Sequence, residues 1–412
     1  MILRKNLLLR LLTTALMVPF CLNARVYTGL EVFLSKYTNV VKNKRVGLIT
    51  NPTGVNAQLL SAVDLLKQDS RVNLVALFAP EHGIRGNLEA GAHVRNQRDS
   101  KTGLQVYSLY GGRDHRPPPG SLDNVDVLLY CIQDVGARTY TYIWHLAECM
   151  SAAAAAGKTI IVMDVPNPLG AVQVDGPTVE PRFKSFIGLY PIPYVYGLTV
   201  GELARYLNRE EKINSKLYIV PMANYRRGMN WHDTGLPWVP TSPNIPSPES
   251  ACCYSITGPL GTLSVVNIGV GGTLPFQIVT APWIKADHMA YIMNTQRLPG
   301  IRFRPIYYKP TVGLFKGQST QGVQIHITDV SKLKPTTTCV AIMDYLRKNC
   351  KEFRWKLNKY RNSNREGFDK AMGTSNIRQM LMRGSSWQSI ARTWQSFDNT
   401  FADKAKKYKI YK

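Results

Sequence analysis

Acidic residues are scarce in this chain: 27 Asp and Glu stand against 51 Lys and Arg in 412 residues, a formal net charge of +24. That imbalance points to an anionic partner, and charge alone does not separate nucleic acid, membrane, cell-wall polymer and acidic substrate. Cysteine is also sparse. The seven cysteines show no metal-ligand spacing, with Cys252 and Cys253 adjacent and the rest scattered, so a zinc site is not expected. Buried thiols or one or two disulfides are the readings left. Long apolar runs are lacking apart from residues 11–20, too short for a membrane-spanning helix of about 20 residues. The sequence has no G-x-S-x-G and no H-E-x-x-H. Gly269-Val270-Gly271-Gly272 lacks the order of a dinucleotide loop, and Ala152 stands where a Walker loop ending at Gly157-Lys158-Thr159 needs glycine. Serine-hydrolase, zincin and nucleotide chemistry therefore lose their sequence signatures.

What is present begins with a leader. Arg4 and Lys5, the apolar run and Cys21-Leu22-Asn23-Ala24 have the tripartite outline of a secretory signal, so residues 1–24 read as a signal peptide cleaved after Ala24. The expected location is periplasmic or secreted. Phe20 is bulky where lipoprotein processing at Cys21 needs a small residue, which makes a lipid anchor the lesser expectation. An exported chain rarely meets nucleic acid, so the basic end around Lys404, Lys406, Lys407 and Lys409 reads as a solvated helix face. With 44% hydrophobic and 19% charged residues, the remainder has the balance of a globular protein long enough for more than one domain.

The first half alternates short apolar runs with helical patterns. Strands are expected over 45–50, 72–78, 104–109, 125–132 and 159–163, with helices over 57–67 and 142–156 between them. Continuous apolar strands alternating with helices require an α/β fold, a doubly wound, mostly parallel sheet covered on both faces. A helix over 199–209 and a strand over 217–222 follow, and the Pro-rich stretch 236–248 ends the first domain, placed at 25–248. Residues 249–412 read as a smaller mixed α/β domain, with strands over 277–280, 301–308 and 322–328 and helices over 286–296 and 337–350.

In such sheets ligands bind outside the carboxyl ends of the strands. Here those ends carry Asn51, Glu81 with His82, Gln133 with Asp134, and Asp164. Asn51 and Asp164 suit turn or helix caps as well as a site, and His82 suits a structural histidine. Glu81, behind Pro80 and before Gly83, is a poor cap and well placed to enter a cleft. Its loop adds Arg85 and Glu89. After Asp134 come Arg138, Tyr140 and Tyr142. Carboxylates and aromatics without metal-type clusters fit carbohydrate chemistry, in which one protonated carboxyl assists the leaving oxygen and a second group activates water or attacks the sugar. Burial near Pro80 would raise an acid's pKa toward that task. Retention or inversion stays open.

Asn51-Pro52-Thr53-Gly54, Ala79-Pro80-Glu81-His82-Gly83, Ser108-Leu109-Tyr110-Gly111, Gln133-Asp134-Val135-Gly136-Ala137-Arg138, Pro166-Asn167-Pro168, Asp175-Gly176-Pro177, Gly197-Leu198-Thr199-Val200-Gly201-Glu202 and the run from Asp233 to Pro240 occur in this order. In them the chain resembles the NamZ exo-β-N-acetylmuramidases, linked to bacterial cell-wall recycling. The resemblance implies a Rossmann-like N-terminal catalytic domain, a smaller C-terminal domain, and a cleft between them. It implies release of N-acetylmuramic acid from the non-reducing end of peptidoglycan fragments with no cofactor and no metal. It casts Glu81 as general acid and Asp134 as second carboxylate. Arg85 and Arg138 become candidates for the lactyl carboxylate, and Asn51, His82, Gln133, Tyr142, Asp164 and Asn167 for other substrate contacts. The chain departs from the family at Cys131, Val165, Ile268 and Val270, where many members carry charged residues. Those departures motivate the alternative of a non-catalytic peptidoglycan-binding protein of the same fold.

Overall fold

The computed structural model describes residues 25–86, 97–110, 115–353 and 364–412. The expected leader at 1–24 and Glu89 lie outside the described residues. Seven strands form the first sheet: β1 Arg45–Thr50, β2 Asn73–Ala79, β3 Gln97–Arg98, β4 Gln105–Ser108, β5 Val127–Cys131, β6 Thr159–Met163 and β7 Lys216–Val220. They lie in the order β3-β4-β2-β1-β5-β6-β7. Every neighbouring pair is parallel except β3 with β4. The two-residue edge strand β3 is too short and too polar for a periodicity to mark it.

The period of two along β1 explains the layering. Val46 and Leu48 pack into one apolar cluster with Leu30 and Phe33, around α1 Gly29–Val32, and with Val63 and Leu66 of α2 Ala62–Gln68. Ile49 faces the opposite cluster, with Phe78, Leu128 and residues of α3 Tyr142–Ala155 and α4 Val200–Glu210. Helices on both faces make the sheet doubly wound, as its near-continuous apolar strands require. The winding reverses between β1 and β5. The carboxyl ends of β2, β1 and β5 therefore meet at the topological switch point.

The second unit is built on an antiparallel sheet, β8 Ile278–Ala281, β9 Ile301–Tyr308 and β10 Thr320–Ile327, in the order β8-β10-β9. Around it pack α5 Pro248–Gly261, α6 Ala286–Thr295, α7 Pro335–Asn349 and the long helix Trp387–Ala405. Helix α5 is absent from the sequence reading. Its apolar residues run all round, so no 3.6-residue stripe betrays it, and Gly258, Pro259 and Gly261 read as breakers. The six described cysteines are all free thiols, and all are buried.

The chain end returns to the first unit. Phe401, Ala405 and Tyr408 share a cluster with Trp144, Leu203 and Tyr206, and burying a large side chain of this kind contributes about 1.5–3 kcal/mol. The Ile410 amide donates to the Glu202 carboxylate at 2.6 Å. The Tyr411 hydroxyl donates to Asp164 Oδ2 at 2.7 Å and accepts from the Met222 amide at 2.9 Å. A hydrogen bond to a charged group is worth about 1.5–3 kcal/mol. Tyr411→Phe should therefore lower the unfolding free energy by that amount at pH 7, read from urea denaturation; a loss of only a few tenths would place the anchor elsewhere.

Candidate active site

Strand β2 ends at Ala79, and the next four residues turn back through a hydrogen bond from the Gly83 amide to the Pro80 carbonyl at 3.1 Å. His82 and Gly83 are both left-handed, with φ of 73° and 76°. For a histidine that conformation is strained, costing about 1–2 kcal/mol, and such strain concentrates at functional sites. The turn directs half-buried Glu81 into a cavity of about 490 Å³ at the switch point. Glu81 is the one carboxylate among the described residues that line it.

The walls are aromatic. Tyr110, two residues past β4, stands beside Glu81; burial and then the Glu81 charge push its phenol up. The Tyr142 hydroxyl donates to the Thr241 carbonyl at 2.7 Å, and its phenol too is pushed up, first by burial. The Tyr140 ring stands edge-on to Tyr142 and Tyr254, with centroids 5.0 and 5.5 Å away. Tyr254, from α5, donates to Thr139 Oγ1 at 3.1 Å. Its phenol is pushed up to about 12, chiefly by burial, with Asp134 and Glu81 adding to it. His115 stacks on Phe186 at 3.5 Å and meets the buried ring of His145 edge-on. Burial holds His145 down to about 3, so this imidazole is neutral. The result is a slot of ring faces with hydroxyl and imidazole edges beside one carboxyl group.

Of the ten residues anticipated from sequence, Glu81, His82 and Tyr142 line this cavity together. Asn51 sits at its edge. Its Oδ1 accepts from the Thr53 amide at 3.0 Å and from the Thr53 hydroxyl at 2.5 Å, while its buried Nδ2, beside the Tyr142 hydroxyl, makes no hydrogen bond. Asp134 lies behind the wall rather than in it. Its Oδ2 accepts from Tyr196 and from the Gly136 amide at 2.7 Å, Oδ1 is buried without a donor, and desolvation raises the carboxyl to about 6. Gly136 has φ +82°, and a Cβ there would fall 2.3 Å from Asn167 Oδ1, so the turn that sets Asp134 tolerates only glycine.

The remaining candidates serve the fold in this structure. The Gln133 side-chain Nε2 donates to the carbonyls of Asp134 and Pro166 at 2.8 and 2.6 Å. Asn167 is spent on Leu198 and Leu169, both at 2.8 Å. Asp164 has no exposed surface and caps α4. The Arg138 guanidinium is fully buried; it donates to the carbonyls of Pro177, Ile192 and Ala371 at 2.5, 2.8 and 3.0 Å. Desolvation lowers it to about 9. Arg85 forks onto Asp99 with two 3.0 Å hydrogen bonds and reaches Asp64 at 3.4 Å. Neither arginine is among the described residues that line the cavity, so both expected lactyl-carboxylate partners stand apart from Glu81 in this structure. The sequence reading passed over Tyr110, His115 and Tyr254 as site residues. Tyr110 follows a strand end, the same signal that marked Glu81, whereas Tyr254 rides on the helix that periodicity could not reveal.

A doubly wound sheet with a half-buried carboxyl group at its switch point, walled in part by a second α/β unit, defines a two-domain α/β protein with an acid–base cleft. The chain belongs to the NamZ family: the profile described as exo-β-N-acetylmuramidase NamZ, N-terminal, matches residues 46–249, and its C-terminal counterpart matches 252–411. The peptidoglycan β-N-acetylmuramidase NamZ of Bacillus subtilis (strain 168) is 40% identical over 387 residues, 94% of this chain and 92% of that protein. Two crystal structures of DUF1343 family proteins from Bacteroides fragilis NCTC 9343 each cover 94% of this chain and 99% of theirs. One superposes with a TM-score of 0.87 at 40% identity, the other with 0.70 at 29%.

Arg138→Lys separates the two roles proposed for that residue. A lysine presents one ammonium nitrogen and cannot span the three carbonyls that the guanidinium reaches from two, and each buried acceptor left without a donor costs about 1–3 kcal/mol. We expect a stability loss of at least about 2 kcal/mol by chemical denaturation with KM unchanged; a raised KM at full stability would return Arg138 to the substrate.

Proposed function

We propose that this chain is an exo-acting β-N-acetylmuramidase that releases N-acetylmuramic acid from the non-reducing end of peptidoglycan fragments, with Glu81 as general acid. The observation that carries the assignment is the placement of Glu81, a lone described carboxylate in an aromatic cavity at the switch point of a NamZ-family fold. Glu81 gives its proton to the glycosidic oxygen as the C1–O bond breaks. Water supplies the hydroxyl to C1, and its remaining proton restores the acid. Tyr110 stands beside the carboxyl and is a phenol its charge acts on. Asp134, held behind Tyr254, positions the wall rather than touching the sugar. The exported, periplasmic or secreted location belongs to the same reading, because peptidoglycan lies outside the cytoplasm and residues 1–24 have the outline of a leader.

The assay is turnover of a chromogenic β-N-acetylmuraminide alongside the matching glucosaminide. The muraminide should be cleaved selectively. Glu81→Gln should cut that turnover by several orders of magnitude with an unchanged circular dichroism spectrum, since the amide keeps the shape and loses the transferable proton. Near-normal activity in the variant would remove Glu81 from the role. Retained muropeptide binding without turnover of either glycoside by the parent protein would instead favour the non-catalytic alternative.

A further inference from the structure

Tyr254 borders more than the Glu81 cavity. It also lines a groove of about 720 Å³. Tyr254, Gly258 and Gly261 recur at helical spacing and so share one face of α5. The ring meets the cavity, and the two glycines beyond it leave bare helix backbone as the floor of the groove. A Cβ on Gly258 would first meet the Tyr254 ring, at 3.3 Å, and one on Gly261 would fall 2.6 Å from Ile268 Cδ1. Val266, Ile268, Val270, Phe276 and Leu314 supply the other walls.

The walls are fixed in advance. Asn267 Nδ2 donates to the Leu314 carbonyl at 2.7 Å and its Oδ1 accepts the Gly269 amide at 2.8 Å, which ties the loop after α5 to the turn at 313–314. The Phe276 amide donates to the Ile268 carbonyl at 2.7 Å, and the Thr262 hydroxyl donates to the Pro259 carbonyl at 2.6 Å. The described lining holds no Lys, Arg, Asp or Glu. Such walls favour the C–H face of a neutral ring and penalise a charge that must shed its water there. Direction comes from the acid. A general acid stands between the sugar released and the group that leaves, because it protonates the oxygen joining them. The Glu81 charge reaches the Tyr254 phenol, so the way from the acid over that ring leads into the groove.

We propose that this groove is the subsite for the leaving group, and that its occupant is the neutral second sugar of the fragment; the choice of that occupant rests on the proposed function. The sugar to be released lies in the aromatic slot with its glycosidic oxygen at Glu81. The next pyranose crosses the edge of Tyr254 and lays its C–H face on Ile268 and Val270. These two residues are then specificity determinants for the leaving group, set apart from the acid that cleaves it.

Steady-state kinetics on the full chain tests this with two substrates: N-acetylmuramic acid β-linked to N-acetylglucosamine, and methyl β-N-acetylmuraminide, whose methyl group is too small to reach the groove. Val270→Trp fills the groove, and Ile268→Asp sets a charge in its wall. In both variants kcat/KM for the disaccharide should fall tenfold or more relative to kcat/KM for the methyl glycoside. Loss of folded protein lowers both values equally and leaves their ratio unmoved. A ratio unchanged from that of the parent protein in both variants overturns the proposal. Where the parent cleaves neither substrate, the proposed function fails by itself, and calorimetric titration with the sulfur-linked disaccharide decides the groove. Saturable binding that weakens tenfold or more in Ile268→Asp supports the subsite; equal affinity in that variant, or no saturable heat at millimolar disaccharide, overturns it.

Discussion

Asp164 sits at the end of β6 with no exposed surface, and its carboxylate accepts four hydrogen bonds: the Val165 and Gly201 amides on Oδ1, and the Thr199 and Tyr411 hydroxyls on Oδ2. Desolvation alone would make this carboxyl an unstable choice, and it does raise it to about 6; the four donors are what make it tenable. Through them one residue fixes the start of α4 and the chain terminus. Its own backbone holds the first helix of the described residues, because the Gly29 amide donates to the Asp164 carbonyl at 2.8 Å. A Cβ on Gly29 would come within 2.2 Å of the Asp164 nitrogen, so this close approach requires glycine. The second unit thereby stays tethered to the first at its far end as well as at α5, and the Glu81 cavity takes its walls from each unit.

That same residue shows why the fold was more legible than the site. The strands could be read because an apolar run between turn residues has few physical meanings: Arg45–Thr50 and Thr159–Met163 fall where the pattern puts them. A polar residue at a strand end has two meanings. It can reach into the cleft, or it can satisfy the backbone groups that the turn leaves open, and only the path of the following loop decides. Glu81 goes into the cleft because a strained His82-Gly83 turn redirects it. Asn167 and Asp164 follow the other course, each with both oxygen and nitrogen or both oxygens already engaged. Helix α5 was hidden for a third reason, since burial on every side erases the periodicity that marks a helix.

The excess of positive charge resolves differently from its first appearance. Arg138 and Arg85, the two arginines nearest the motifs, are consumed by backbone carbonyls and by Asp99 and Asp64. The described lining of the Glu81 cavity carries no lysine or arginine. The groups beside Glu81 are instead hydroxyls, imidazoles and ring faces.

The resemblance to the family implies departures at four positions, all among the described residues. Cys131 and Val165 line a small cavity with Thr53, Gln133 and Trp231, and Ile268 and Val270 line an apolar groove with Phe276 and Leu314. None of the four lines the Glu81 cavity. Tyr254 borders both that cavity and the apolar groove, and it stands where it does because α5 is buried deeply enough to act as a rigid wall. A change of charge to Ile268 or Val270 is thus separated from the acid by one tyrosine ring. It alters the surface beyond Tyr254 while leaving the aromatic slot around Glu81 intact.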